Sequence, residues 1–254
     1  MLFIGIDLAW TPHNPTGAAL IRGDARGGEL VGTALLGDLD AIEGYVTAAA
    51  PAGEPALVLV DAPLWVPNAT GRRPGEAELA KIFARHHAGA HPANRGIAAF
   101  RQGVRGELLV QRLASHGFAH RPEIEAGAPA RQVIEVYPHA AMVALFELAR
   151  TLKYKAKARR GMAERLAAWA AYQGHLCALG HADPPLRGQG QLAGRDLAAL
   201  RGRALKDYED QVDAVICAYI GMYAHRWGAA RCRCFGNMDG GYIYTPVPAA
   251  MWLA

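Results

Sequence analysis

Cysteine is scarce in this chain: Cys177, Cys217, Cys232 and Cys234 are the four in 254 residues. So few, so unevenly spaced, exclude a disulfide framework in a protein of this length. No second close Cys or His pair completes a zinc spacing around Cys232-Arg233-Cys234. Free thiols are expected, with Cys217 in a helix core. Long apolar runs are also missing. Hydrophobic residues make up 52% of the chain, but much of that is alanine, and no run approaches the roughly 20 residues that span a bilayer. The first apolar run is cut short by Asp7 before a signal-peptide core forms. A cytoplasmic protein with no membrane partner is expected. Neither sign of charge dominates: 27 Lys and Arg against 23 Asp and Glu give +4, which is compatible with a polyanionic partner without demanding one. Internal repeats and clear linkers are absent, so residues 1–254 read as one domain.

What is present is an alternation of short apolar runs and helical patterns. Leu2 to Ile6, Thr16 to Arg22 and Glu29 to Leu36 read as three strands joined by Gly- and Asp-rich turns, an antiparallel meander. Asp38 or Asp40 caps a helix through about Ala49. Leu57 to Val60 is a continuous apolar run, the pattern of a strand covered on both faces. From Ala62 to about Gly96, Pro63, Pro67, Pro74 and Pro92 mark a long functional excursion with one short helix near Glu76 to His87. A helix from about Gly103 to His116 and a strand from Arg131 to Tyr137 follow. His139 to Leu152 and Gly161 to Leu179 read as helices, Pro184 to Gly194 as a loop, and Lys206 to Trp227 as a strong amphipathic helix. The tail holds a small strand at Tyr242 to Thr245.

Acidic residues stand where these strands end. Asp7 closes the first, Asp61 closes Leu57-Val58-Leu59-Val60, Glu135 interrupts the strand before Tyr137, and Asp210 and Asp213 open the late helix, three apart and so on one face. Carboxylates are costly beside apolar surroundings unless something compensates them. A divalent cation is the simplest compensation. Two such ions supply an activated water, a stabilised leaving oxygen and neutralised phosphate charge, and hard Mg²⁺ or Mn²⁺ prefers oxygen ligands. The expected site has Asp7 as bridging ligand, with Asp61 or Glu135 and one or both of Asp210 and Asp213. Simpler alternatives stand beside it: Asp7 and Asp61 as turn residues, Asp210 as a helix-dipole partner, and Glu135 paired with Arg131 or a helix residue.

Five segments, Gly5-Ile6-Asp7-Leu8-Ala9-Trp10, Val60-Asp61-Ala62-Pro63-Leu64, Ile134-Glu135-Val136-Tyr137-Pro138-His139-Ala140, Lys153-Tyr154-Lys155 and Asp210-Gln211-Val212-Asp213-Ala214, with the ending Gly241-Tyr242-Ile243, span nearly the whole chain. In these the chain resembles the RNase H-like predicted nucleases gathered as domain-of-unknown-function family 429. The element order agrees with that resemblance. It implies an RNase H-like mixed α/β fold: a five-stranded sheet, its first three strands antiparallel and the rest parallel, flanked by helices, with an insertion at about 62–100 and extra helices at about 139–200. It also implies metal-dependent hydrolysis of phosphodiester bonds in DNA or RNA with Mg²⁺ or Mn²⁺. The acids also look like those of Holliday-junction resolvases, except that Asp61 stands on the fourth strand where those have Glu, and Glu135 is added on the fifth.

Candidate substrate contacts follow from position. Tyr137 and His139 lie just beyond the fifth strand, and the run from Lys153 and Lys155 through Arg160 suits phosphate neutralisation, or a solvated connection between helices. Trp10 and Trp65 follow Asp7 and Asp61 closely, as stacking platforms or as caps on the core. Two other functions fit less well. An actin-like phosphotransferase needs Gly- and Ser/Thr-rich phosphate loops where Trp10-Thr11-Pro12 and Ala62-Pro63-Leu64 stand. A non-catalytic nucleic-acid- or protein-binding module would keep the acids as a structural network.

Overall fold

The computed structural model describes residues 1–253. Asp24 turns the chain back by accepting a hydrogen bond from Arg26 N–H at 2.7 Å, so β1 (Leu2–Asp7), β2 (Thr16–Asp24) and β3 (Gly27–Leu36) form the expected meander. Asp38 caps α1 (Leu39–Ala49) by accepting from Ala41 N–H at 2.9 Å. The chain then runs through β4 (Ala56–Val60), α2 (Pro74–Phe83), α3 (Arg105–Ala114), β5 (Ala119–His120), β6 (Arg131–Glu135), α4 (Pro138–Leu145) and α5 (Met162–Ala178). It ends through β7 (Leu186–Arg187), α6 (Gly190–Ala193), α7 (Gly202–Trp227), β8 (Cys232–Asn237) and β9 (Gly241–Pro246).

The architecture is mixed α/β, a sheet of antiparallel and parallel strands flanked by helices. The sheet has seven strands, not five, in the order β5-β6-β4-β1-β2-β3-β7. The two additions are parallel edge strands of two residues each, too short to show any side-chain period. The tail strand has a partner, β8, making a separate antiparallel hairpin. Loop 184–194 contains β7 and the short α6. The helix expected over 139–152 stops at Leu145 because Glu147 takes a left-handed conformation, φ 51°, and Leu148 N–H turns back to Val143 O. α7 starts four residues earlier than expected, at Gly202, so Asp210 and Asp213 lie well inside it rather than at its start.

The sheet has an apolar layer on each face. Ile4, Ile6, Val58 and Val60 pack with Ile42 of α1 and Leu109 and Leu113 of α3, while Phe3, Leu57, Leu59 and Ile134 pack against α7. From Val212 to His225 every α7 residue is buried, on all sides of the helix. α7 is therefore a central element rather than an amphipathic surface helix. Missing side chains let it approach so closely. A Cβ on Gly5 would stand 1.9 Å from Ala214 O, and one on Gly17 would stand 1.9 Å from Asp210 O. Both contacts are to backbone, so the helix itself would have to move.

Gly5→Ala should therefore destabilise the protein by at least about 3 kcal/mol, roughly 6–12 °C in Tm for a chain of this size. Gly44→Ala in α1, where an added methyl meets nothing within 4 Å, should leave Tm unchanged or raise it slightly. Thermal unfolding of the two variants checks this; equal Tm values would show that α7 is not seated on β1 by glycine.

Candidate functional site

Register decides which acids meet. In the parallel ladder Ile6 is opposite Val60, and Val60 is opposite Glu135. Asp7 and Asp61 are thus the next residues on adjacent strands, tied by Asp61 N–H to Ile6 O at 2.8 Å. Side chains alternate faces along a strand, so both carboxylates leave the sheet on the α7 side, along with Phe3, Leu57 and Leu59. Glu135 is one residue out of step with them and leaves from the opposite face.

Its surroundings there are complete. Arg73 Nη2 and Nη1 donate to Glu135 Oε1 and Oε2 at 2.6 and 2.9 Å, and Leu64 N–H donates to Oε2 at 2.8 Å. Arg73 Nε also donates to Glu76 Oε1 at 2.8 Å, and Ala93 N–H reaches the same oxygen at 3.0 Å. Arg73, Glu76 and Glu135 are all buried, so this network fastens the 62–96 excursion to the end of β6. Sequence reading missed Arg73; the available signal was Arg73-Pro74 three residues before Glu76, a helix start with Glu at its third position. Arg131 bonds instead to the carbonyls of Ala50, Pro51, Glu54 and His116.

On the α7 side the acids gather around a lysine. Lys155 Nζ lies 2.7 Å from Asp213 Oδ2, while Asp213 Oδ1 accepts from Tyr154 Oη at 2.7 Å and Tyr172 Oη at 3.1 Å. Burial alone would raise the Asp213 carboxyl, but Lys155 and these neighbours hold it below the usual carboxylate range. Burial likewise works against the Lys155 ammonium, yet Asp213, Asp7 and Asp61 keep it firmly charged. Asp7 is raised well above its ordinary value by burial and, against the pull of Lys155, by Asp213, Asp61 and Asp210. Asp210 is paired with Lys206 Nζ at 2.7 Å, which works against the upward push of burial on its carboxyl. Burial, with Asp213 and Glu135 also adding negative charge nearby, pushes Asp61 up to about 7.

These groups stand over a cleft of about 520 Å³. Asp7, Asp61 and Glu135 lie on its lining, Glu135 together with Arg73 and Glu76; Asp210 and Asp213 do not. Among the substrate contacts expected from sequence, Trp10, Tyr137, His139, Lys153 and Lys155 all line it, joined by Lys157, Arg160 and His91. Trp10 rests on Phe100 with centroids 5.2 Å apart. Trp65 is instead 41% exposed and donates to Asp239 O at 3.1 Å. Burial and the nearby Lys155 push His139 down to about 3, so it is a neutral imidazole, with Nδ1 3.2 Å from Thr151 Oγ1. The Lys153-Tyr154-Lys155 segment is held by its middle residue. Tyr154 is fully buried against Trp169 and Tyr172, Arg165 Nε and Arg160 Nη1 donate to the carbonyls of Tyr154 and Lys155, and the flanking lysines face the cleft.

Among the described residues no three His, Cys, Asp or Glu side chains converge as a preformed metal cage. Mg²⁺ does not need one, because it is usually held by one or two carboxylates with water and substrate phosphate completing its shell. Asp7 and Asp61 fit that requirement in donor chemistry and in lining the cleft, and a bound cation would offset the burial and acidic neighbours that raise both carboxyls. Asp210, Asp213 and Glu135 are already matched by Lys206, Lys155 and Arg73. The four cysteines are free, Cys217 and Cys232 being buried, and no helix among the described residues is long and apolar enough to cross a membrane.

The raised Asp61 carboxyl has a sign that can be measured. A folded value near 7 against an ordinary 3.8 means that the folded state holds its proton more tightly, so the stability that Asp61 contributes is fully present below about pH 4 and is lost as pH rises through 7. Because Asp61 still faces cleft water, the full displacement overstates the effect. Asp61→Asn should stabilise the metal-free protein by about 2 kcal/mol at pH 8 and by nothing at pH 4, as read by denaturant unfolding at both pH values. An equal effect at both would mean that the carboxyl is not displaced.

No curated protein and no solved structure matches the chain significantly. The family described as "Protein of unknown function (DUF429)" matches residues 5–238. With the match running from the glycine that seats α7 to the hairpin that follows it, the chain belongs to the domain-of-unknown-function family 429.

Proposed function

We propose that the protein is an RNase H-like, Mg²⁺- or Mn²⁺-dependent nuclease that hydrolyses phosphodiester bonds in DNA or RNA. One observation carries this reading: Asp7 at the end of β1 and Asp61 just after β4 stand side by side on adjacent parallel strands, on the same face, and open onto a cleft that also holds Lys153, Lys155, Lys157 and Arg160. The strand order β3-β2-β1-β4-β6, two antiparallel pairs followed by two parallel ones, supports the RNase H-like part.

Asp7 and Asp61 would hold the cation, which supplies an activated water and charge neutralisation at the phosphate. The chain's own residues do the rest. Lys153, Lys157 and Arg160 neutralise phosphates and fix the strand's position. Lys155 limits the net negative charge that an incoming phosphate meets. His139, uncharged, offers a hydrogen-bonding nitrogen rather than a further positive charge, and Trp10 presents a ring for a base or sugar to rest on. In the reaction, water oxygen bonds to phosphorus, the bond from phosphorus to the departing sugar oxygen breaks, and that oxygen takes up a proton. A phosphomonoester and an alcohol result.

A second reading, a non-catalytic module that binds nucleic acid or protein, is favoured by the complete pairing of Asp213 with Lys155 and of Glu135 with Arg73. Asp7→Asn separates the two. For a nuclease, Mn²⁺-dependent cleavage of a panel of labelled oligonucleotides falls to background in Asp7→Asn, Mn²⁺ affinity by calorimetry falls at least tenfold, and Tm stays level or rises. Equal Mn²⁺ affinity and equal cleavage in the two proteins would leave the module as the surviving reading.

A further inference from the structure

The carboxylates at the cleft differ in how many of their oxygens are still free. Glu135 lines the cleft, but Arg73 donates to both of its oxygens and Leu64 N–H to one of them. Asp210 holds Lys206 Nζ at 2.7 Å and is not on the lining. Asp213 is occupied at both oxygens: Oδ1 accepts from the hydroxyls of Tyr154 and Tyr172, and Oδ2 faces the Lys155 ammonium at 2.7 Å. Glu76 on the lining is bonded to Arg73. Among the described residues, this leaves Asp7 and Asp61 as the lining acids with no basic side chain in contact.

Lys155 stands between Asp213 and the cleft. It lines the cleft whereas Asp213 does not, and its side chain is 26% exposed whereas that of Asp213 is buried. Its charge acts on Asp7 and Asp61 as well as on Asp213. The chain fixes its position from both sides. Tyr154, one residue earlier, is buried against Trp169 and Tyr172 and bonds to the same Asp213, and Arg160 Nη1 donates to the Lys155 carbonyl at 2.7 Å. A divalent ion entering from the cleft meets Asp7 and Asp61, and finds the next carboxylate covered by a positive charge. Like charges at close range repel strongly away from bulk water, so a second ion and this ammonium exclude one another.

Resting on the nuclease reading, we infer that the site takes a single divalent cation, held by Asp7 and Asp61, and that Lys155 is a built-in second positive charge. Two-ion sites use a pair of cations to stabilise the attacking and the leaving oxygen. Here one of the two charges belongs to the chain, is already oriented by Asp213, and is present whatever the metal concentration. The hydrolysis is the one written above, with the same bonds made and broken.

The experiment counts bound Mn²⁺ by calorimetry and electron paramagnetic resonance, with and without thymidine monophosphate as the phosphate probe. The proteins are wild type, Asp7→Asn as the blank, the uncharged variants Lys155→Ala and Lys155→Met, and Lys155→Arg, which keeps the charge. Expected is one Mn²⁺ per wild-type chain, with the spectrum of an isolated ion, whether or not the phosphate is present. The uncharged variants should bind two, because Asp213 Oδ2 is uncovered, and the neighbouring ions should broaden each other's signal; Lys155→Arg should bind one. Left with an unpaired buried carboxylate, the uncharged variants should also melt below wild type in EDTA and regain the loss when Mn²⁺ is added, which loss of a merely structural lysine would not allow. Two ions in wild type overturn the inference and leave the nuclease reading intact, a result that needs no variant to fold. One ion in wild type and still one in both uncharged variants, or two in Lys155→Arg, overturns the role given to Lys155. No Mn²⁺ bound to wild type beyond the Asp7→Asn blank removes the metal-dependent reading itself, and this inference with it.

Discussion

The contact between Lys155 and Asp213 is the interaction around which the rest of the site is organised. Asp213 lies in the middle of a helix buried on all sides, where an ionised carboxylate without a partner would be prohibitively costly. A lysine ammonium at 2.7 Å and two tyrosine hydroxyls make that charge tolerable. They also fix the path of the chain: Tyr154 is drawn into the core, and Lys153 and Lys155, on either side of it, are held toward the cleft. The cost of burying one acid is what positions a cationic wall.

The same sheet end carries a second ionic network on its other face. Arg73 joins Glu76 of α2 to Glu135 of β6, so the excursion that follows β4 is anchored at its middle. The two networks do different jobs because strand alternation puts them on opposite faces. The Lys155 group leaves Asp7 and Asp61 on the cleft lining without a basic partner of their own, their carboxyls pushed up by burial and by the neighbouring acids. The Arg73 group sets one arginine between two buried glutamates and fastens the excursion to the end of β6. The Lys155 group depends on α7 sitting very close to β1 and β2, which Gly5 and Gly17 permit.

Much of this was legible from residues alone. Strand ends marked by Asp7 and Asp61, the meander, and an acid at Asp213 inside an apolar helical pattern are local signals. Each survives in the structure because burial and periodicity act over a few residues. Other features gave no such signal. β5 and β7 are two residues long, and their pairing is decided by what lies beside them. The end of α4 turned on a left-handed Glu147, where glycine would have been the recognisable sign. Glu135 looked equivalent to Asp61 because both close apolar strands. A one-residue offset in the ladder sends it to the other face, and the length of an apolar run does not encode register.

The sequence by itself determined which residues carry charge into apolar surroundings, the order of the main strands and helices, and the lack of disulfides and of a spanning helix, since these follow from side-chain chemistry and short-range periodicity. Only the tertiary structure decided which charges are neutralised and which remain exposed to the cleft. Lys155 is 58 residues from Asp213 and Arg73 is 62 from Glu135, and pairing over such separations is set by strand register and helix packing, not by neighbouring residues in the chain.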